Sequence, residues 1–339
     1  MSRNLQHQAK SEASILALFR RQWFAHGDPI DPSTDLSPKT AIITAANGGL
    51  GLEVARQLCR LRLGRLVITA RSQAKVDGAA QKLRAEFPKT KVDVRLLDMN
   101  SYASVLAFAE SCEKDLERVD FVLLNAGVQS GVHEANPETG HETDVQVNHL
   151  SAALLAVLLV PVLRSKKVAG QAAPPVLSIV ASDTAYQASL KDTTNIIAAM
   201  DAPENFSRMA NYSGSKLLIV MFVAALAAKV DARDVVVHTS NPGITAGTSL
   251  TQHNRTLVIK ILEQVGRLLA RSLAAGAHIL VDGLLRKGDA ESHGSFVSDW
   301  TIKPYPEIMY GEKGANIGER LWEETMEEFR RADITLPAL

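Results

Sequence analysis

Tyr212 and Lys216 stand four residues apart in Tyr212-Ser213-Gly214-Ser215-Lys216. That spacing puts a phenol and an ammonium on one face of a helix, and the apolar run that follows, Leu217 to Val230, has helical character. The pair has a chemical use. A free tyrosine titrates near pH ~10 and is a poor base at neutrality; a neighbouring cation favours phenolate and lowers that value. So arranged, Tyr212 protonates an alkoxide forming on a carbonyl, or takes the proton of an alcohol in the reverse direction.

A second group of residues suits a phosphate. Thr44-Ala45-Ala46-Asn47-Gly48-Gly49-Leu50-Gly51 follows the β-branched run Thr40 to Thr44 and enters a helix near Leu52. Glycines there let the backbone approach a pyrophosphate, and the helix N-terminus offers free N–H groups. At the end of the second apolar run, where a dinucleotide fold selecting NAD carries a carboxylate, the chain has Ala70 and then Arg71, with Lys75 close behind. An acid would repel a 2′-phosphate and an arginine pairs with one, so NADP(H) is the expected cofactor.

These residues need a frame. Short runs at Thr40–Thr44, Leu66–Thr69, Val92–Leu97, Phe121–Leu124, Val176–Val180 and Val235–Thr239 alternate with helical patterns. Strands that are apolar on both faces and separated by helices specify a parallel sheet covered on both sides. The expected class is α/β, a single doubly wound sheet of the Rossmann type, with ligands beyond the carboxyl ends of the strands. Upstream, Ile15, Leu16, Phe19, Trp23 and Phe24 share one helical face, read as an amphipathic helix packed on the protein's own body. Pro29, Pro32 and Pro38 mark a linker after it. The chain thus divides into an extension (1–38), a catalytic domain (39–300) and a C-terminal extension with a helix (301–339).

Composition excludes several classes. Lys plus Arg and Asp plus Glu both number 37, so no net field draws a polyanion, and nucleic acid is not an expected partner. Cys59 and Cys112 are isolated, which indicates reduced thiols and no metal site. The runs Leu150–Leu163 and Leu217–Val230 are 14 residues each, short of the ~20 that span a bilayer. They read as buried helices in a cytoplasmic protein, and a homodimer is admitted.

At this point the motifs resemble the short-chain dehydrogenases/reductases over about residues 39–300. The family's T-G-x-x-x-G-x-G is matched by Thr44, Gly49 and Gly51, with Ala45 in place of the first glycine; Asn47 and Leu50 fall within the loop. Leu97-Asp98-Met99 is similar to the adenine-binding segment, Asn125-Ala126-Gly127 to the N-A-G motif, and Asn241-Pro242-Gly243 to the P-G motif beside the nicotinamide. The resemblance implies that Lys216 also binds the nicotinamide ribose, Ser182 hydrogen-bonds the substrate oxygen and Asn148 holds a water in a proton relay. Ile244, through its backbone, and Thr245 or Thr248 are then candidates for contacts to the carboxamide or a phosphate. Taken singly these residues are ordinary: Ser182 as a turn or cap, Asn148 as an N-cap. Their joint order is what carries the reading.

The substrate end is less legible. Twenty-nine residues separate Ser182 from Tyr212 and include Tyr186, Met200, Phe206 and Met209. Val147-Asn148-His149-Leu150 and this insertion resemble the branch of retinol dehydrogenases and protochlorophyllide reductases, whose substrates are bulky and apolar. Segments 186–210 and 245–272 are the expected substrate-side pieces. In the second, Leu257, Val258, Ile261, Leu262, Val265, Leu268 and Leu269 form a helical stripe that fits a lid, a packing face or a self-association face. The length, the amphipathic extension and Gly311–Asn316 resemble fungal natural-product pathway reductases. The expected function is reduction of a ketone, or oxidation of a secondary alcohol, on a bulky small molecule. The alternatives are non-redox chemistry on the same fold, such as dehydration or cyclisation, and a nucleotide sensor or scaffold.

Overall fold

The computed structural model describes residues 1–168, 170–171, 173–247 and 270–339. Eight strands form one sheet: β1 (Thr40–Ile43), β2 (Arg65–Ala70), β3 (Lys91–Leu96), β4 (Phe121–Leu124), β5 (Val176–Val180), β6 (Val236–Asn241), β7 (Phe296–Ser298) and β8 (Thr301–Lys303). Their order is β3-β2-β1-β4-β5-β6-β7-β8, parallel throughout except for the β7–β8 hairpin. The six expected runs are all strands. β7 and β8 escaped notice because three residues each are too few for a periodic signal.

Two helical layers cover the sheet, because strands such as β1 and β4 are buried along their whole length. One layer holds α2 (Gly49–Arg60), α3 (Gln73–Glu86) and α8 (Leu273–Arg286), whose Val54, Leu58, Leu83, Leu280 and Leu284 enclose Ile43, Leu66 and Ile68. The other holds α4 (Tyr102–Asp115), α5 (Ser151–Ser165), α7 (Arg208–Ala227) and α9 (Gly311–Arg331), packed through Phe108, Leu155, Phe222 and Phe329. The runs expected to be 14-residue helices overlap longer ones, the second of which ends at Ala227, three residues before Val230. Thr143–Ser165 and Arg208–Ala227 are long and apolar enough to cross a membrane, but their most apolar windows are 89% and 78% buried within the fold.

The N-terminal helix α1 (Ile15–Phe24) forms as expected, capped by the Ser14 hydroxyl accepting from Ala17 N–H. Its orientation reverses the expectation. Arg21 and Gln22 are buried, whereas Ile15, Leu16 and Phe24 are more than 70% exposed and Trp23 is half exposed. A buried polar face holds this helix, because ion pairs await it: Arg21 meets Glu12, Asp183 and Asp299. The chain start is fixed as well, with Ser2 hydrogen-bonded to Ser295 and Phe296.

The insertion between Ser182 and Tyr212 packs on α7 through Asp183–Gln187 and on the C-terminal helix through the segment that follows. Its short helix α6 (Ile196–Asp201) is capped by Glu324 of α9, which accepts from the Ile196 and Ile197 N–H groups at 3.0 and 2.9 Å. At its other end Asp201 binds His141, whose second nitrogen faces Glu328 at 3.1 Å. Burial alone would discharge His141, but hydrogen bonds to the two carboxylates outweigh it and hold the imidazolium up to about 9.

Between β1 and α2 the chain turns through Ala45 at φ 51°, the left-handed region that disfavours a Cβ. Ala45 N–H donates to Thr69 Oγ1 and Ala46 N–H to Thr69 O, which hold the turn.

Two outcomes are expected. Ala45→Gly relieves that conformation and stabilises the protein by about 1 kcal/mol in denaturant titration; no gain would show that the turn relaxes around the methyl. A folded-state pKa raised from 6.5 to about 9 gives His141 a stabilising contribution present in full below pH 6.5 and lost as pH rises through 9. The stability difference between parent and His141→Gln therefore shrinks between pH 6 and pH 10, by at most about 3 kcal/mol, and a constant difference would refute the ion-pair reading.

Candidate active site

A cavity of about 1180 Å³ opens along the carboxyl edge of the sheet, across the switch point where β1 and β4 lie side by side while their connections run to opposite faces. The loop after each of β1 to β6 contributes to its lining: Asn47, Gly49 and Leu50 after β1, Arg71 after β2, Asp98 and Met99 after β3, Asn125 and Gly127 after β4, Ser182 after β5, and Pro242, Gly243, Ile244 and Thr245 after β6. Tyr212 and Lys216 enter from α7.

Three sequence candidates stand behind this wall. Thr44 is fully buried, and its Oγ1 accepts from Asn125 and Ala126 N–H, both at 2.9 Å, so it joins the ends of β1 and β4. Gly51 gives room rather than contact: a Cβ there would lie 2.7 Å from Asn125 Nδ2 and 2.9 Å from Ala45 O. Asn148 spends its amide on Val128, accepting from N–H at 2.9 Å and donating to O at 2.8 Å, and donates also to Ser215 Oγ. It sits in a five-residue π-helical turn, Gln146–Leu150, at the entrance to α5. Such turns displace main-chain carbonyls from the i+4 pattern.

The phosphate end has a simple electrostatic design. α2 has no side-chain cap at Gly48 and no acidic residue in its first turn, so its N–H groups and positive dipole end face the cavity uncompensated. Arg71 is exposed and, among the described residues, has no carboxylate partner; Ser72 and Lys75 line the cavity next to it. Asp98 also lines the wall, with Oδ1 held by the backbone and side-chain amides of Asn100.

At the other end burial controls the titratable groups. Burial pushes Tyr212 up to about 12, against the lowering effect of a hydrogen bond to Ser182, and buried Asp144 adds to the rise. The net displacement of Tyr212 is thus upward, opposite in direction to the lowering expected from the Tyr212/Lys216 spacing. Burial pushes Lys216 itself down to about 8, and its Nζ donates to Val180 O at 2.9 Å, lying 5.9 Å from the Tyr212 ring centre. Desolvation penalises phenolate and ammonium alike, so both residues move toward their neutral forms. Ser182 caps the 3₁₀ turn Asp183–Gln187, its Oγ accepting from Thr184 N–H.

Of the four insertion residues considered from sequence, Tyr186 lines the cavity and donates to Pro304 O, Met200 packs behind Gly214, Phe206 meets His133 edge-on, and Met209 is exposed. Thr248 and the stripe from Leu257 to Leu269 lie outside the described residues. The sequence reading missed Glu12, Ala13, Leu18 and Arg21, which form one wall of the cavity, together with Arg208 one turn before Tyr212. Nothing local marks the first four, since the contact spans about half the chain.

The chain matches the short chain dehydrogenase family over residues 39–174. It is 43% identical over 328 residues to short chain dehydrogenase virL of Hypocrea virens, covering 97% of this chain and 95% of that protein. With the short chain dehydrogenase/reductase mfmJ of Annulohypoxylon moriforme it shares 40% identity over 318 residues, or 93% and 92% of the two chains. Among solved structures, L-sorbose reductase from Gluconobacter frateurii, complexed with NADPH and L-sorbose, is 22% identical with a TM-score of 0.58, covering 78% of this chain and 96% of that one; the likeness is one of fold. Identity of this extent along almost the entire length makes the protein a member of the short-chain dehydrogenase/reductase family, oxidoreductases that interconvert CH–OH and C=O groups.

Proposed function

We propose that this protein is an NADP(H)-dependent reductase of a ketone, or the corresponding dehydrogenase of a secondary alcohol, acting on a bulky, largely apolar small molecule. The observation that carries the reading is that one cavity joins an end carrying Arg71 and Lys75, with no acid at the end of β2, to Ser182, Tyr212 and Lys216 at the other. Its volume exceeds the range of about 300–1,000 Å³ usual for one small ligand, which leaves room for a dinucleotide and a second molecule.

The residues fit the cofactor. Arg71 pairs with a 2′-phosphate, the α2 N-terminus with the pyrophosphate and Lys216 with the nicotinamide ribose. NADPH supplies the hydride when bound. Tyr212, held protonated at neutral pH by burial, donates its phenolic proton to the substrate oxygen while Ser182 Oγ fixes that oxygen. A neutral phenol is a donor, which favours the reductive direction. Lys216, at about 8, is mostly protonated near neutrality. With the Asn148 amide engaged by Val128 and Ser215, a relay water belongs to the displaced carbonyls of its π turn. Ala13, Leu18, Val132 and Tyr186 provide apolar wall for a large substrate. Full-length identity to fungal proteins, together with the layout of the extensions, supports an intermediate of natural-product synthesis as that substrate.

Two measurements test this. With NADPH and a panel of bulky ketones, the parent consumes reduced nicotinamide and yields products two hydrogens heavier, and Tyr212→Phe lowers kcat by roughly 10²- to 10⁴-fold; equal turnover by the variant would remove Tyr212 from the mechanism. Arg71→Ala weakens NADP(H) by roughly tenfold or more while sparing NAD(H), and equal losses would sink the 2′-phosphate assignment.

A further inference from the structure

The N-terminal extension also acts on the site from behind its wall, through one side chain that neither the catalytic assignments nor the family motifs include. Gln22 of α1 is buried, and its carboxamide grips the backbone of Ile244 on both sides: Nε2 donates to Ile244 O at 2.6 Å and Oε1 accepts from Ile244 N–H at 3.2 Å. Ile244 O accepts a second bond from Arg271 N–H at 2.8 Å. Both main-chain groups of Ile244 are thereby taken, and Ile244 lines the cavity together with Gly243 and Thr245.

The helix that carries Gln22 is itself locked. Arg21 lies among Glu12, Asp183 and Asp299, and Asp183 directly follows Ser182. Arg271 donates to Arg21 O at 2.8 Å and to Asp299 Oδ1 at 2.6 Å, with its guanidinium 5.2 Å from the Trp300 ring centre. Asp299 and Trp300 occupy the β7–β8 turn at φ 51° and 60°, a left-handed conformation that side chains disfavour and that is held here by the two arginines. Gly243, at φ 72°, is where α1 and the loop touch: a Cβ would lie 2.7 Å from Arg271 Nη1 and 3.0 Å from Gln22 Oε1. The loop next to the reacting end of the cavity is thus held from two sides, by the main-chain bridge of Thr245 to Arg271 and by a side chain more than 200 residues away.

We infer that Gln22 is a positioning residue: its paired hydrogen bonds to Ile244 set the loop from Pro242 to Thr245 in the form that receives the nicotinamide half of the cofactor. The inference rests on the proposed NADP(H) reading, which places that half beside Tyr212. Removing the amide takes the partner of the Ile244 N–H and leaves Ile244 O with the Arg271 N–H alone, so the loop relaxes and the nicotinamide half loses its fitted surface. The adenosine half, held at the opposite end, is untouched.

The test compares two ligands. NADPH and adenosine 2′,5′-bisphosphate, which has the 2′-phosphate but no nicotinamide, are titrated into the full-length parent and Gln22→Met, a variant of similar volume without hydrogen-bonding capacity. The expected result is that Gln22→Met weakens NADPH by roughly threefold to tenfold and leaves the bisphosphate unchanged. Equal losses on both ligands, no loss on either, or tighter NADPH binding overturns the inference; the last would make Gln22 a competitor for the Ile244 backbone. A parent that binds neither ligand refutes the cofactor reading itself and is distinct from these outcomes. Should Gln22→Met not fold, hydrogen exchange in the cofactor-free parent decides: the Ile244 amide is protected, and fast exchange overturns the inference.

Discussion

The site depends on a constraint imposed by the sheet. Strands buried on both faces leave no open space along their length, so polar groups there, such as Ser178 and Ser240, are spent on one another, and the groups free to meet a ligand collect where the backbone leaves the sheet. In a parallel sheet those exits all point the same way. β1 to β6 end on one edge, and the loops after them carry Asn47, Arg71, Asp98, Asn125, Ser182 and Gly243 into one cavity. Residues distant in sequence thus become neighbours without any specific attraction between them.

Charge within this frame is governed by desolvation. Tyr212 and Lys216 are both displaced toward neutrality, and Lys216 finds its partner in a carbonyl rather than in the phenol. Arg21 shows the opposite solution: it remains charged in the interior because three carboxylates surround it. Such a cluster contributes little net stability, since the Coulomb attraction must first offset the loss of hydration. What it supplies is geometry. It fixes α1, the turn after Ser182 and the β7–β8 hairpin relative to one another, against the cavity wall.

The terminal segments are part of the same structure. α9 places Ile317, Leu321 and Phe329 in the core beside α7, and Trp322 stacks on Phe222 at 5.0 Å. The helix that presents Tyr212 and Lys216 is therefore supported from behind by the chain's last helix. α1 confines the cavity from the front. Both are joined to the insertion after Ser182, through Glu324 and Arg21 respectively.

Much of this was legible in the residues. Short β-branched runs between helical patterns indicated the six parallel strands, and motif order picked out Tyr212, Lys216, Ser182, Arg71 and the glycine loop, because those properties are local: strand propensity, i to i+4 spacing and turn chemistry act within a few residues. The amphipathic pattern of α1 likewise predicted a helix, but not which face turns inward. That was decided by Asp183 and Asp299, far along the chain, which made the interior polar where Arg21 enters. The same holds for Gln22 on Ile244, for the Asn148 amide committed to Val128, and for a Tyr212 raised rather than lowered. Sequence determined which groups the chain could offer and on which elements they ride; burial and long-range partners, which exist only once the layers have packed, decided how each group is charged and what it holds.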